Sequence, residues 1–166
     1  MASSTPAAGD PIPPSDEEAS SYFLGLPSQP RLIARTDAVV SPWTRPLYRT
    51  LCPVTDPDLI GKWKSTRESM YEAIQSTLAA HSIQWSTFLP LAIDAVPFED
   101  RSWGAKPYPG PMPEHQVGHF LVVGVQPGTC TWTDGIATAT ACRSILMDHL
   151  GSGTCVSSSA SFLSLA

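Results

Sequence analysis

The feature that most restricts the fold of this 166-residue chain is a nearly continuous apolar run over residues 119–125. A strand with this pattern is typically buried on both faces of a sheet, because a strand with one wet face alternates polar and apolar residues. Pro127 and Gly128 end the run, and apolar residues at helical spacing then extend from Ile136 to about His149. Strand, short loop and helix are the first two parts of a βαβ unit, which predicts an α/β (or α+β) fold.

A longer helix is predicted over residues 57–80. Asp56 is a suitable N-cap residue, and Pro57 stands at the first helical position. Apolar residues recur at helical spacing along one face: Leu59, Ile60, Trp63, Met70, Tyr71, Ile74 and Leu78. Together with a half-buried strand predicted over residues 83–88, this pattern indicates a small sheet with two principal helices.

The return strand of the βαβ unit is missing from the sequence pattern. Residues 151–166 contain six serines and no charged residue, and only 154–156 or 162–165 could pair weakly. We therefore predict an incomplete βαβ unit at the C-terminal end, followed by a Ser-rich disordered tail over residues 151–166. The abrupt change in composition also leads us to expect that residues after about 149 are not the native continuation of the domain.

The N-terminal residues 1–20 are predicted to form a disordered, acidic, Pro-rich tail. They contain four prolines and four acidic residues, and their only large apolar side chains are Met1 and Ile12. Such a segment buries too little surface to offset the entropy lost on ordering. The prediction is therefore a single α/β domain over residues 21–150 between two disordered ends.

Charge and composition exclude several functional classes. Ten Lys and Arg against 15 Asp and Glu give a net charge of −5, whereas a general nucleic-acid binder shows a basic footprint. The chain has no run of about 18 apolar residues that could span a membrane, and its N-terminus does not resemble a secretory signal. We therefore expect a cytoplasmic protein with free thiols and without nucleic-acid or membrane partners.

One locally basic segment is a candidate partner-binding surface. Within residues 21–55, four arginines stand against the single acid Asp37: Arg31, Arg35, Arg45 and Arg49. Trp43 and Tyr48 lie among them. These side chains could bind an acidic partner. Alternatively, the arginines are paired or solvated and the aromatic rings cover the core.

The loop before the second predicted helix is a candidate anion site, because backbone N–H groups at a helix N-terminus attract anions. Its four candidate residues are Gly128, Thr129, Thr133 and Gly135. Neither a P-loop nor a G-x-G-x-x-G motif is present, and Asp134 would repel phosphate. The alternative is a tight connection in which Thr133 or Asp134 caps the helix.

Two further patterns concern catalysis and metal binding. Cys130 precedes a helix N-terminus, which lowers a thiol pKa, so it could act as the nucleophile of a hydrolase with His115 or His119 as base. The same two histidines and Glu114 could approach a metal, but a third ligand is not evident and Gly118 disfavours a helix there. We assign no catalytic residue, no metal ligand and no cofactor.

Four short patterns lie within residues 21–148: YFLGLPSQPRLIAR at 22–35, VGVQPG at 123–128, GIA at 135–137 and CRSIL at 142–146. Together they resemble the N-terminal module of a group of large uncharacterised proteins of filamentous fungi. Some members of the group carry a chymotrypsin-like segment further on. The resemblance implies that this chain is a fragment corresponding to that module, and it supplies no catalytic residue.

These observations predict a non-catalytic structural or protein-interaction module, whose partner is another protein or the remainder of its own chain. Two alternatives from other classes stay open. One is a small-molecule or anion-binding domain that uses residues 126–136. The other is an unrecognised hydrolase.

Overall fold

The computed structural model of the chain describes residues 11–24, 26–38, 43, 47–97, 118–151 and 161–165. Helices and strands follow one another in this part of the chain as α1 (Asp16–Ser21), β1 (Leu32–Arg35), β2 (Leu47–Cys52), α2 (Pro57–Ala80), β3 (Trp85–Pro97), β4 (Gly118–Val125), α3 (Trp132–Leu150) and β5 (Ser161–Leu165). The predicted α/β class, with α2 and α3 as its two principal helices, is confirmed.

The strands form one sheet in the order β1-β5-β4-β3-β2. β3 is antiparallel to both β2 and β4, and it continues through Pro90 as far as Pro97, well beyond the predicted strand over 83–88. β4 and β5 are parallel, and β1 is antiparallel to β5. β4 therefore lies in the centre of the sheet, which explains its nearly continuous apolar sequence.

β4, α3 and β5 form a complete βαβ unit, which corrects the prediction that the return strand is missing. Leu163 of β5 lies opposite Val122 of β4 on one side and opposite Arg35 of β1 on the other. The predicted C-terminal disorder is therefore wrong for Ser161–Leu165, and residues 152–160 lie outside the described residues. A strand that pairs along both edges receives backbone hydrogen bonds from two neighbours, and these do not depend on its side-chain pattern. The apparent lack of a return strand was one reason to expect that residues after about 149 are not the native continuation of the domain. The presence of β5 removes that reason.

The N-terminal segment contains a short helix where the sequence predicts disorder. In α1, the Ser15 hydroxyl caps the first turn by accepting a hydrogen bond from the Glu18 backbone N–H at 3.1 Å. Glu18 and Ala19 are buried. The predicted tail is therefore wrong for residues 16–20, while residues 1–10 lie outside the described residues. The helix is ordered because Glu18 has a buried partner, Arg35, that is distant in sequence.

α2 begins as the sequence predicts. Asp56 Oδ1 accepts hydrogen bonds from the backbone N–H groups of Asp58 and Leu59, at 2.9 and 3.3 Å, and Pro57 occupies the first turn. These bonds satisfy N–H groups that have no partner inside the helix. The apolar stripe of α2 then packs against α3 and the sheet.

The sheet separates two apolar clusters, which we call the helix face and the N-terminal face. On the helix face, Leu121 and Val123 of β4 pack with the buried stripes of α2 and α3. On the N-terminal face, Val122 packs with Tyr22 and Phe23, which follow α1. Neighbouring β4 residues thus point to opposite faces, as the two-residue period of a strand requires.

Candidate functional site

A cavity of about 320 Å³ lies on the helix face, between α2, the end of α3 and strands β3 and β4. Four leucines that line it are at most 5% exposed and form its floor: Leu59, Leu121, Leu146 and Leu150. Pro53 and Lys64 also line it and are exposed, so they border its opening. Ligand sites in proteins commonly measure roughly 300–1,000 Å³, and this cavity lies at the lower end of that range.

Two helix faces build the walls of the cavity. Leu59 and Trp63 are one turn apart on α2, and Leu146 and Leu150 are one turn apart on α3, so each pair presents a continuous apolar surface. The Lys62 ammonium donates a hydrogen bond to the Leu150 carbonyl oxygen at 3.1 Å. This bond joins the beginning of α2 to the last turn of α3 and thereby holds the two walls together.

The lining carries one side chain with a permanent charge at neutral pH. Lys64 lies at the opening, and the ion pairs formed among the described residues do not include it. Glu68, one turn further along α2, is therefore not within salt-bridge distance of the Lys64 ammonium. His119 of β4 is the other polar side chain described in the lining. The site therefore combines an apolar interior with a cation at its entrance that has no ion-pair partner among the described residues.

Aromatic rings connect the cavity to the beginning of β3. Trp63 packs edge-on against Tyr71 with 6.0 Å between ring centres, and Tyr71 packs against Phe88 at 4.6 Å. Phe88 in turn contacts Trp85 at 5.2 Å. Edge-to-face pairs of this kind add to the stability supplied by burial. The contacts support the cavity wall at Trp63.

Two of the arginines predicted to bind a partner are buried on the N-terminal face. Arg35 donates from Nε to Glu18 at 2.7 Å and from Nη1 to Asp37 at 3.0 Å. Arg49 donates from Nη1 to the Tyr22 carbonyl oxygen at 2.7 Å, and its guanidinium lies 3.7 Å from the centre of the Tyr22 ring. Arg35 and Arg49 are only 6% and 8% exposed. Their placement corrects the prediction of a surface for a partner and agrees with the alternative of paired arginines.

Arg31 is not part of this cluster. Arg31 lies on the surface, where it pairs with Asp16 at 2.6 Å. Arg45 lies outside the described residues. The structure therefore does not bring the four predicted residues together on one exposed surface.

Burial determines the electrostatics of this cluster. It raises the pKa of Tyr22 to about 12, and the negative charge of Asp37 contributes in the same direction. Burial also lowers the pKa of Arg49 from its ordinary value. Arg35 pairs with both carboxylates, Glu18 and Asp37, whereas Arg49 contacts the Tyr22 carbonyl and ring.

The predicted anion loop is closed by its own side chains. The N-cap of α3 is Thr131, where Thr133 or Asp134 was expected. The Thr131 hydroxyl accepts a hydrogen bond from the Asp134 backbone N–H at 3.2 Å and donates one to the Asp134 carboxylate at 2.7 Å. The carboxylate therefore lies at the helix N-terminus, where an anion would have to bind.

The remaining residues of that loop have local structural roles. Gly128 adopts φ +76° in the turn after β4, which glycine does at little cost. The Thr129 hydroxyl donates to the Gln126 carbonyl oxygen at 2.7 Å. Gly135 is buried, and a Cβ there would lie 3.1 Å from Ile33 Cγ2. Its small size thus lets α3 approach β1 closely.

The residues predicted for catalysis or metal binding are not brought together. Cys130 lies beside Val123 and Val125 at the end of β4, whereas His119 lies near the beginning of that strand, so the two side chains are at different ends of β4. His115 and Glu114 lie outside the described residues. Within the described part of the chain, no group of three or more His, Cys, Asp or Glu side chains could hold a metal ion.

The sequence contains the cavity residues but does not distinguish them from core. Leu59 and Trp63 belong to the apolar stripe of α2, and Lys64 belongs to its polar face, so each residue fits an ordinary amphipathic helix. The cavity exists because α3 and the sheet do not cover the whole apolar stripe of α2. The distance between these elements is not contained in any local sequence pattern.

None of the helices in the described residues combines the length and hydropathy needed to cross a membrane. A comparison of the chain with models of protein families, with curated proteins and with solved structures gives no match.

Proposed function

We propose that this chain is a non-catalytic binding module whose binding site is the apolar cavity on the helix face. The observation that carries the proposal is the floor of buried leucines beneath an opening bordered by Pro53 and Lys64. An apolar group that enters removes both its own surface and the wall from water, and each Å² of apolar surface buried contributes about 25 cal/mol. The cavity therefore favours a ligand, or the part of a ligand, that is apolar and small.

Binding of the fluorescent naphthylamine N-phenyl-1-naphthylamine tests the proposal, because this neutral apolar probe brightens when it leaves water. We expect saturable binding of one probe per chain, with a matching decrease of the emission of the chain's five tryptophans through energy transfer to the probe. Binding to the folded state should also raise the melting temperature.

A pair of matched variants assigns the binding to the cavity. Ile60 lines it, so Ile60→Trp should fill part of the space and weaken probe binding at least tenfold. Ile136, another half-buried isoleucine, does not line it, and Ile136→Trp should leave binding unchanged. Equal binding by both variants, or no saturable binding to the unmodified chain, would refute the proposal.

The protein-interaction module predicted from the sequence is a second proposal, which a different observation supports. Trp85 and Leu89 of β3 are the large hydrophobic side chains of the described strands that remain most exposed, at 36% and 47%. Buried aromatic side chains often supply much of the energy of a protein interface. If copies of the chain associate through β3, the unmodified chain should self-associate in sedimentation experiments, and Trp85→Ser should abolish the association. A chain that stays monomeric at high concentration excludes this self-association.

A further inference from the structure

We infer that the cavity binds a single-chain amphiphile with one carboxylate, with the chain on the leucine floor and the carboxylate at Lys64. This inference rests on the proposed function and adds the chemical class of the ligand. It depends on three observations: the apolar floor, the volume of the cavity and the charge at its opening.

The charge at the opening selects an anionic group. Lys64 is exposed at the entrance, and its ammonium takes part in no ion pair among the described residues. Lys62 is not equivalent, because its ammonium already donates to the Leu150 carbonyl. A ligand carboxylate at the entrance would therefore contact the Lys64 ammonium, whose N–H groups form no ion pair among the described residues. Because the pair would be exposed to water, its contribution is small, about a two- to fivefold gain in affinity.

The floor selects an apolar chain. Leu121, Leu146 and Leu150 are buried and offer no hydrogen-bonding side chain to a polar ligand. Each methylene that moves from water onto this surface should improve affinity about fourfold, until the chain reaches the end of the cavity. The cavity volume of about 320 Å³ limits the length of chain that can be buried.

Displacement of N-phenyl-1-naphthylamine by a ligand series tests the inference. The series contains straight-chain carboxylic acids of eight, ten and twelve carbons and the primary alcohols of the same lengths, all below their micellar concentrations, at pH 8. We expect affinity to increase with chain length in both series, and each acid to bind about two- to fivefold more tightly than its alcohol.

Two charge variants assign the preference for acids to the entrance. Lys64→Ala should remove the preference while alcohols bind as before. Arg143→Ala removes the same charge from α3 at a position that does not line the cavity, and it should preserve the preference. High salt should reduce the preference in the unmodified chain, because the charges are exposed. Lys64 is a solvent-exposed helix residue, so circular dichroism should show an unchanged fold, and Lys64→Gln provides a second neutral variant.

The outcomes separate this inference from the proposed function. Acids and alcohols of equal affinity, or a preference that survives in both Lys64 variants, would overturn the carboxylate while the apolar site stands. An acid that binds without displacing the probe would also overturn it, since the ligand would then lie elsewhere. A probe that does not bind at all refutes the proposed function itself. A stable dimer that excludes the probe would assign the cavity to a second copy of the chain.

Discussion

The two faces of the sheet are covered by elements of different length and by different kinds of contact. α2 and α3, with 24 and 19 residues, cover the helix face through apolar contacts and leave a cavity between them. The N-terminal face is covered in part by the short segment around α1, where buried and half-buried charged side chains accompany the apolar contacts: Glu18, Arg35, Asp37 and Arg49. Long helices bury enough apolar surface to tolerate a gap. A short segment buries less and depends more on specific pairs.

The N-terminal face also connects the two edges of the sheet. β1 and β2 are the outermost strands, and Tyr22 contacts a guanidinium from each: Arg35 of β1 at 5.4 Å and Arg49 of β2 at 3.7 Å from the ring centre. The helix face has no comparable charged contact among its described core residues. We therefore expect the N-terminal face to respond to single charge changes and to pH, and the helix face to respond to changes of volume.

The largest effect should come from removing the strand that both faces share. A chain that ends at Gly151 lacks β5 and leaves β1 and β4 without the neighbour that lies between them. We expect it to lose cooperative unfolding in urea and near-ultraviolet circular dichroism. A chain that lacks Ala166 alone controls for the moved carboxyl terminus. A cooperative transition unchanged by the truncation would show that β5 does not hold the sheet together.

Breaking the buried ion pair should be next in size. Glu18→Ala leaves Arg35 buried with Asp37 as its remaining carboxylate, and we expect a loss of about 3 kcal/mol in the free energy of unfolding. Asp16→Ala breaks a pair of nearly equal length, 2.6 against 2.7 Å, but one that is exposed, and should cost less than about 1 kcal/mol. Urea unfolding of both variants measures the difference. Similar losses would mean that burial does not distinguish the two pairs.

The N-terminal face should also make stability fall in alkali. The pKa of Tyr22 is about 12 in the folded chain, against about 10 in the unfolded chain, so folding favours the protonated phenol. Its stabilising contribution is complete below pH 10 and is lost between pH 10 and 12, by about 3 kcal/mol in total. Urea unfolding at several pH values should show this loss, and Tyr22→Phe should remove it.

A decrease of comparable size should remain in Tyr22→Phe. Burial also raises the pKa of the Cys142 thiol on the helix face to about 12, so that group loses its contribution above pH 9. If Tyr22→Phe and the unmodified chain lose stability equally between pH 10 and 12, the phenol does not carry the effect.

On the helix face, adding volume where α3 meets β1 should destabilise the fold. A Cβ at Gly135 would lie 3.1 Å from Ile33 Cγ2 and 3.3 Å from Ala34 Cβ, so Gly135→Val should cost about 1–3 kcal/mol. Gly61 of α2 has no atom within 4 Å of the equivalent position, and Gly61→Val should be neutral or slightly stabilising, because valine forms helix better than glycine. Thermal unfolding measures the melting temperatures of both variants. Equal melting temperatures would mean that α3 lies further from β1 than the structure shows.

The smallest expected effect has the opposite sign. The Thr138 hydroxyl of α3 is buried and has no hydrogen-bond partner in the described part of the chain. Thr138→Val keeps the shape and removes the unsatisfied group, so stability should increase by about 1 kcal/mol. Thr140 is exposed and its hydroxyl donates to the Ile136 carbonyl at 2.8 Å, so Thr140→Val should change stability by less than about 0.5 kcal/mol. A decrease in the melting temperature of Thr138→Val would indicate that the hydroxyl has a partner in solution.

Local patterns predict the elements that are decided locally. The period of apolar residues and the Asp56-Pro57 start place α2 at its observed ends, and the apolar run over residues 119–125 identifies a strand buried on both faces. Both signals lie within a few residues of the structure that they specify. The α/β class follows from them, because a strand of this kind needs cover on two sides.

The remaining features depend on partners far apart in the chain. Glu18 and Arg35 are 17 residues apart, and their contact turns a predicted tail into part of the fold and a predicted surface into a buried cluster. β5 acquires its place from β1 and β4, since its own sequence has little strand character. The cavity likewise depends on the distance between α2 and α3.

By itself, then, the sequence determines where this chain forms its long helices and its central strand, because hydrophobic period and capping act over one or two turns. Only the tertiary structure decides which charges are buried, which short strand completes the βαβ unit and where a cavity remains. The physical reason is that burial and pairing are properties of two segments at once, and a single-segment pattern records neither.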